Sequence, residues 1–333
     1  MTRTFSGTVF SNRKGVTLPE NGCGITVGNF DGVHRGHQEI VSRLISLAQP
    51  RGLPSVALTF DPHPAELLQP RLARRFLTTI QHRAELLLSL GLDAVFVLKT
   101  TPALLNLSAE EFYREVLCRC FRPAAVAEGE DFHFGRNREG TLSELQRWAA
   151  QDSIELATVT PVQIFGTAVS SSRIRGLLER GDIAEANELL VFPYRIEGLV
   201  EQGQQRGKEL GFPTANLGGV QTLIPLDGVY AGVATTASGV RYGAAIHVGK
   251  NLTFSATEKT IEVHLLDFTG DLYGQLLQVE FFQRLRATEK FEGVEALTKQ
   301  LHADISNIAS LSQQNLRKQQ PQQVSLSSTH FSG

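Results

Sequence analysis

Residues 28–41 read GNFDGVHRGHQEIV, with two histidines three apart and three glycines. The segment running into it, CGITVGNF (23–30), reads as a strand, and QEIVSRLISLAQ (38–49) repeats its apolar residues at helical spacing. The stretch is therefore a strand-to-helix turn. Outward from it the same alternation recurs. PSVALTF (54–60), DAVFVLK (93–99), AAVAEG (124–129) and IELATVTPV (154–162) read as strands, and helical patterns over 77–90, 109–121 and 141–151 separate them. Strand and helix in alternation indicate an α/β unit with a parallel sheet, and the unbroken apolar strands agree with burial on both faces.

In such a sheet ligands bind beyond the carboxyl ends of the strands. Gly28, Gly32 and Gly36 allow tight turns and close backbone approach. His37 falls near the helix start, where free amides and the dipole favour anions, so an imidazolium there would hold phosphate oxygens. The G-x-G-x-x-G spacing of a dinucleotide fingerprint is absent. A lone histidine in such a place fits a satisfied loop residue as well as a ligand; two beside three glycines favour the ligand. Asn29 and Asp31 either contact substrate or close Asx turns. Asp61-Pro62-His63-Pro64 is a stiff loop. Ser171, Ser172, Arg173 and Arg175 open a helix with hydroxyls, free amides and two guanidinium groups, which suits a triphosphate and equally a plain helix cap.

After a helix read over 173–190 the pattern changes. Strand-like runs at 194–203, 228–237, 240–249, 259–268 and 276–285 follow one another without helices, as in a small antiparallel barrel or sandwich. A helix is expected over 293–311, and the glutamine- and serine-rich tail beyond it is expected to be disordered. In GQQRGKELGFPTAN (203–216) the glycine spacing and Glu209 exclude a P-loop, but the loop's amides and Lys208 can still wrap phosphates. Thr214 and Asn216, two apart in an extended segment, offer two oxygens to a Mg²⁺ that keeps most of its water. Glu262, in the alternating run Ile261-Glu262-Val263-His264-Leu265, puts a charge at an inward-facing position or is simply a surface residue of an edge strand.

Bulk properties narrow the class. The 333 residues suggest two domains, and 41% hydrophobic with 20% charged content is that of a soluble globular protein. A net charge of −2 gives no reason to expect a nucleic-acid or anionic-membrane partner. Cys23, Cys118 and Cys120 form no disulfide framework or metal pair and read as free thiols of a cytoplasmic protein. No segment has the length of a signal-peptide core or a membrane helix.

The string GNFDGVHRGHQ, with TFDPHP (59–64), GEDFHFG (129–135) and SSSRIR (170–175), resembles the adenylyltransferase module of prokaryotic bifunctional riboflavin kinase/FAD synthetase. GFPTAN (211–216), PLDGVYAG (225–232) and IEVHLLDFTGDLYG (261–274) resemble its riboflavin kinase module. The resemblance implies a Rossmann-like nucleotidyltransferase domain over 1–186 and a β-barrel kinase domain with a C-terminal helix over 187–312, followed by the tail (313–333). It implies that riboflavin becomes FMN with one ATP, and FMN becomes FAD with a second, releasing pyrophosphate. In the first module His34 and His37 would be catalytic. ATP would lie on Gly28, Asn29, Phe30, Gly36, Ser171, Ser172, Arg173 and Arg175, and flavin near Asp31, Pro62, His63, Pro64, Asp131 and Phe132. In the second, Gly207 and Lys208 would hold ATP, Thr214 and Asn216 Mg²⁺, and Asn251 flavin, while Glu262 takes a proton. No partner beyond these small molecules is implied, and the expected state is a monomer or weak homo-oligomer. The chain departs from the family pattern at Ser172 (usually threonine), at Val191-Phe192 (often Gly-Arg), and at His247 and Leu252 (commonly asparagine and proline). The last two substitutions keep open an alternative, an adenylyltransferase whose barrel binds flavin without kinase turnover.

Overall fold

The computed structural model describes residues 4–11, 22–68, 75–203, 211–250, 259–316 and 327–332. The chain forms two compact units: Met1–Arg74, Ile80–Val169 and Pro321–Gly333 make the first, Arg75–Thr79 and Ser170–Gln320 the second.

The first unit is built on a twisted sheet. Its strands are β1 (Ser6–Ser11), β2 (Cys23–Val27), β3 (Ser55–Asp61), β4 (Ala94–Lys99), β5 (Pro123–Gly129) and β6 (Glu155–Val159). Across the sheet they run β1-β4-β3-β2-β5-β6, parallel throughout except β1. Every residue of β2 is buried, as its unbroken apolar sequence requires. The order reverses between β2 and β5, which creates a crevice at their carboxyl ends. Helix α1 (Arg35–Ala48) follows β2 and buries Val41, Leu44 and Ala48. Helices α2 (Ile80–Ser89) and α3 (Leu142–Gln151) occupy the other expected helical stretches. The pattern over 109–121 is helical too, but from Phe112 to Phe121 it winds as a π-helix. Its buried residues Phe112, Tyr113, Val116, Leu117 and Phe121 lie along one face. Strand β1 was not legible as a strand in the sequence.

The second unit is a closed antiparallel barrel, the first of the two forms expected. Its strands are β7 (Arg195–Glu201), β8 (Ala215–Gly218), β9 (Gly228–Thr235), β10 (Arg241–Lys250), β11 (Lys259–Leu265) and β12 (Leu276–Arg286), in spatial order β7-β8-β11-β10-β9-β12. The single helix expected over 173–190 is two: α4 (Ser171–Arg180) and α5 (Ile183–Leu189). Gly181 ends the first in the left-handed region, at φ 82°, where a residue with a side chain would be strained. Both helices pack with the barrel. The Leu226 amide donates to Leu178 O at 3.1 Å, and the Asn187 side chain bridges the Phe281 carbonyl and the Tyr194 amide, each at 2.8 Å. By packing, the second unit takes in Arg75–Thr79 and the chain from Ser170 onward, so both helices belong to it. The closing helix, α6 (Val294–Leu316), covers β9 and β10, which is why β9 is buried on both faces.

The tail departs from expectation. Residues Ser327–Ser332 form a strand, β13, antiparallel to β1 on the outside of the first unit's sheet. The polar composition that suggested disorder overlooked Thr329, His330 and Phe331, a segment that pairs with a neighbouring strand and packs one aromatic ring against the core. Cys23, Cys118 and Cys120 are free thiols.

Candidate active site

The opening turn lies at the carboxyl end of β2, beside the crevice. Phe30 (φ 49°), Gly32 (φ 84°) and Val33 (φ 43°) all take left-handed conformations, and the Val33 amide closes onto Phe30 O at 3.0 Å. Glycine at 28 leaves space for a ring: a Cβ there would press on Phe30 at 3.1–3.3 Å. The glycines therefore make room for the protein's own rings as well as for any ligand.

His34 and His37 form a reciprocal cap on α1. The His37 amide donates to His34 Nδ1 and the His34 amide to His37 Nδ1, each at 3.3 Å, and the rings stack with centroids 3.5 Å apart. Phe30 meets His37 edge-on at 5.2 Å. Burial lowers the His34 pKa to about 4. Burial, His34 and the Arg83 guanidinium push His37 well below its ordinary value. The imidazolium expected at His37 is thus corrected to a neutral ring: two proximal rings beside an arginine cannot all carry charge. Since each Nδ1 accepts a hydrogen bond, each ring keeps its proton on Nε2 and offers it as a donor.

Arg83 escaped the sequence reading. It sits on the buried face of α2 and pairs with Asp31 at 3.3 Å, both nearly fully enclosed. Burial lowers its pKa, while Asp31, Asp61 and Glu66 oppose that shift. The signal available was an arginine falling in phase with the apolar residues of Ile80–Ser89. Asp31, assigned to flavin, is therefore tied to Arg83. Glu128 was also missed. It is buried at the end of β5, where its Oε1 accepts from the Val27 amide at 2.6 Å, and burial raises its pKa well above the carboxylate range.

The other expected loops of this unit follow β3 and β5. His63 is engaged locally: its Nδ1 accepts from the Ala65 amide at 3.0 Å, and its own amide donates to Glu66. Pro62 precedes it and Pro64 starts a short helix, Pro64–Leu68. After β5, Asp131 is exposed, and Phe132 stacks on Phe134 at 5.3 Å and 16°. Phe134 is in turn braced by Phe112 and Trp148, so Phe132 presents a backed aromatic ring.

The SSSRIR segment belongs to the second unit. Its cap is Ser170, which accepts from the Arg173 amide at 3.2 Å; Ser171 and Ser172 lie inside α4. Arg173 pairs with Glu185 of α5 at 3.1 Å, and Arg175 reaches the Ser172 hydroxyl at 3.4 Å.

On the barrel, Glu201, Asn216, Glu262 and His247 stand opposite one another across the neighbouring strands β7, β8, β11 and β10. Their strand neighbours Ala215, Leu217, Ile261, Val263, Ile246 and Val248 are buried inside. Glu262 consequently faces outward, the second of the two positions its alternating run allowed: Ile261, Val263 and Leu265 fill the barrel, and a charge has no place among them. Thr214, two before Asn216, shares its half-buried face. Among the described residues no cluster of three or more histidine, cysteine, aspartate or glutamate side chains is poised for a metal. A hydroxyl, an amide oxygen and a carboxylate on one face are nevertheless hard donors that fit Mg²⁺ completed by phosphate and water. Gly207, Lys208, Asn251 and Leu252 lie outside the described residues.

A family model described as FAD synthetase matches residues 17–173, and one described as riboflavin kinase matches 190–312. A bifunctional riboflavin kinase/FMN adenylyltransferase of Pseudomonas fluorescens is 38% identical over 290 residues, covering 86% of this chain and 93% of that one. The chain belongs to the bifunctional riboflavin kinase/FMN adenylyltransferase family. Relatives of the same description from Listeria monocytogenes (35% identical, 84% of this chain and 89% of the relative) and Escherichia coli K12 (32%, 86% and 91%) agree. Both family domains are present, which favours two activities over the adenylyltransferase with an inactive barrel. A crystal structure titled as a macrolide-efflux protein from Streptococcus pneumoniae superposes with a TM-score of 0.80 at 30% identity, covering 90% of this chain and 97% of that one. Among the described residues here no helix is long and apolar enough to cross a membrane.

Proposed function

We propose that the barrel unit phosphorylates riboflavin and that the sheet unit adenylylates the FMN, each step drawing on its own ATP. The observation that carries this reading is the place of the His34–His37 pair, at the carboxyl end of β2 beside the point where the sheet order reverses. There the two Nε2–H donors would hold α-phosphate oxygens as charge builds on them, without the rings being cationic. Pyrophosphate leaves readily, so positioning and charge stabilisation dominate and no strong base is required. Phe132 would stack the flavin ring, and Asp131 and the DPHP loop would border it. Ser171, Ser172, Arg173 and Arg175 carry hydroxyls and guanidinium groups suited to phosphate oxygens. On the barrel, Thr214 and Asn216 would hold Mg²⁺, which when bound neutralises the charge of ATP phosphates. Glu262 would accept the proton of the ribityl 5′-hydroxyl during transfer. Free thiols support a cytoplasmic enzyme. Incubating the protein with riboflavin, ATP and Mg²⁺ and separating the flavins should show FMN appearing first and FAD later. Accumulation of FMN alone, or no change in riboflavin, would refute the reading.

A further inference from the structure

Strand β1 reads SGTVFS and β13 reads SSTHFS. Neither holds a proline, a lysine or any carboxylate, the devices that blunt an exposed sheet edge. On its inner side β1 pairs with β4 from Gly7↔Leu98 to Ser11↔Ala94. On its outer side it pairs with β13 along its whole length, from Ser6↔Ser332 to Ser11↔Ser327. Backbone pairing of this kind is blind to sequence, but one side chain is not. Phe331 packs edge-on against Phe96 at 5.5 Å and reaches Phe121 at 6.2 Å. The residue opposite it is Gly7, where a Cβ would come within 3.0 Å of the Phe331 ring and overlap the Val97 carbonyl. A ring seat and a glycine in register with it make a site that selects an extended segment with an aromatic residue at one position.

We propose that the outer edge of β1 is a strand-docking site whose resident occupant is the chain's own residues 327–332, and that vacating it turns the same edge into an interface between two copies of this chain. The second copy is the natural competitor because its uncharged β1 edge carries nothing to repel an antiparallel partner. Neither strand contains a residue assigned to the flavin chemistry, so both activities serve as checks that variants are folded.

Amide exchange and sedimentation test this. In the unaltered chain the amides of 6–11 should exchange about as slowly as those of β4. In Phe331→Asp they should speed up at least about tenfold, as for a locally opened edge, while β2 and β3 stay protected and FMN and FAD formation persist. That variant should sediment as a concentration-dependent dimer. An excess of synthetic peptide 324–333 should return it to the mass of the unaltered chain, and the peptide bearing the same substitution should not. Thr329→Pro, which disfavours a strand in the middle of the segment but keeps the ring, should act in the same direction. Rapid exchange at 6–11 in the unaltered chain overturns the proposal without any variant. So does a Phe331→Asp protein that keeps its mass and ignores the peptide.

Discussion

At the scale of single residues, the two histidines were legible as part of a strand-to-helix turn, but their charge was not. Charge depends on burial and on Arg83, some fifty positions further along, and neither is written in the local spacing. Replacing His37 with alanine should lower FAD formation by about 10²–10³, the usual cost of one transition-state donor. FMN formation should hardly change; an equal loss of both in chromatographic assays would mean misfolding. Protonation supplies a second test. His34 titrates near pH 4 when folded and near 6.5 when unfolded, so the unfolded chain takes up the proton first as pH falls. The resulting stability is present above about pH 6.5 and is lost on the way down through pH 4, roughly 3 kcal/mol by linkage. Glu128 works in the opposite sense. Its raised pKa makes the folded state hold a proton that the unfolded state releases, so stability declines as pH rises above the ordinary carboxylate range. Glu128→Gln should abolish that alkaline decline in unfolding midpoints measured between pH 5 and 8, and an unchanged slope would disprove the buried-acid assignment.

At the scale of elements, alternation of strand and helix made the parallel sheet readable, because burial on both faces leaves continuous apolar runs such as Cys23–Val27. Two elements were only partly legible, for physical reasons. The stretch 173–190 keeps helical spacing through Gly181, whose left-handed backbone breaks it. Strand β11 alternates correctly, but a period of two does not say which face is inside, so the sequence left Glu262 either inward or at the surface. Its outward position, opposite Asn216 and His247, leaves it accessible to substrate. Glu262→Gln, which keeps size and hydrogen bonding, should slow FMN formation by about 10²–10⁴ with riboflavin still bound. Turnover near the normal rate would remove Glu262 from the chemistry.

At the scale of the whole molecule, the two-unit plan was legible from the change of pattern near residue 190, but which unit the intervening helices pack with was not. Helices α4 and α5 follow the α/β series in sequence and carry a motif assigned to it, yet their buried Leu177, Leu178, Ile183 and Leu189 belong to the barrel's unit. A fragment of residues 170–316 should therefore fold and make FMN without FAD. One starting at 187 should be less stable, since it uncovers apolar surface worth about 1.5–3 kcal/mol for each large side chain exposed. Equal urea midpoints for the two would contradict the assignment of these helices. The pairing of β1 with β13 has a further consequence, for biosynthesis. More than three hundred residues separate Ser11 from Ser327, so a nascent chain growing at about 5–20 residues per second leaves that side of β1 open for tens of seconds. The sheet of the leading unit is complete only once residues 327–332 have been made, and a chain stalled before them would carry an unfinished one.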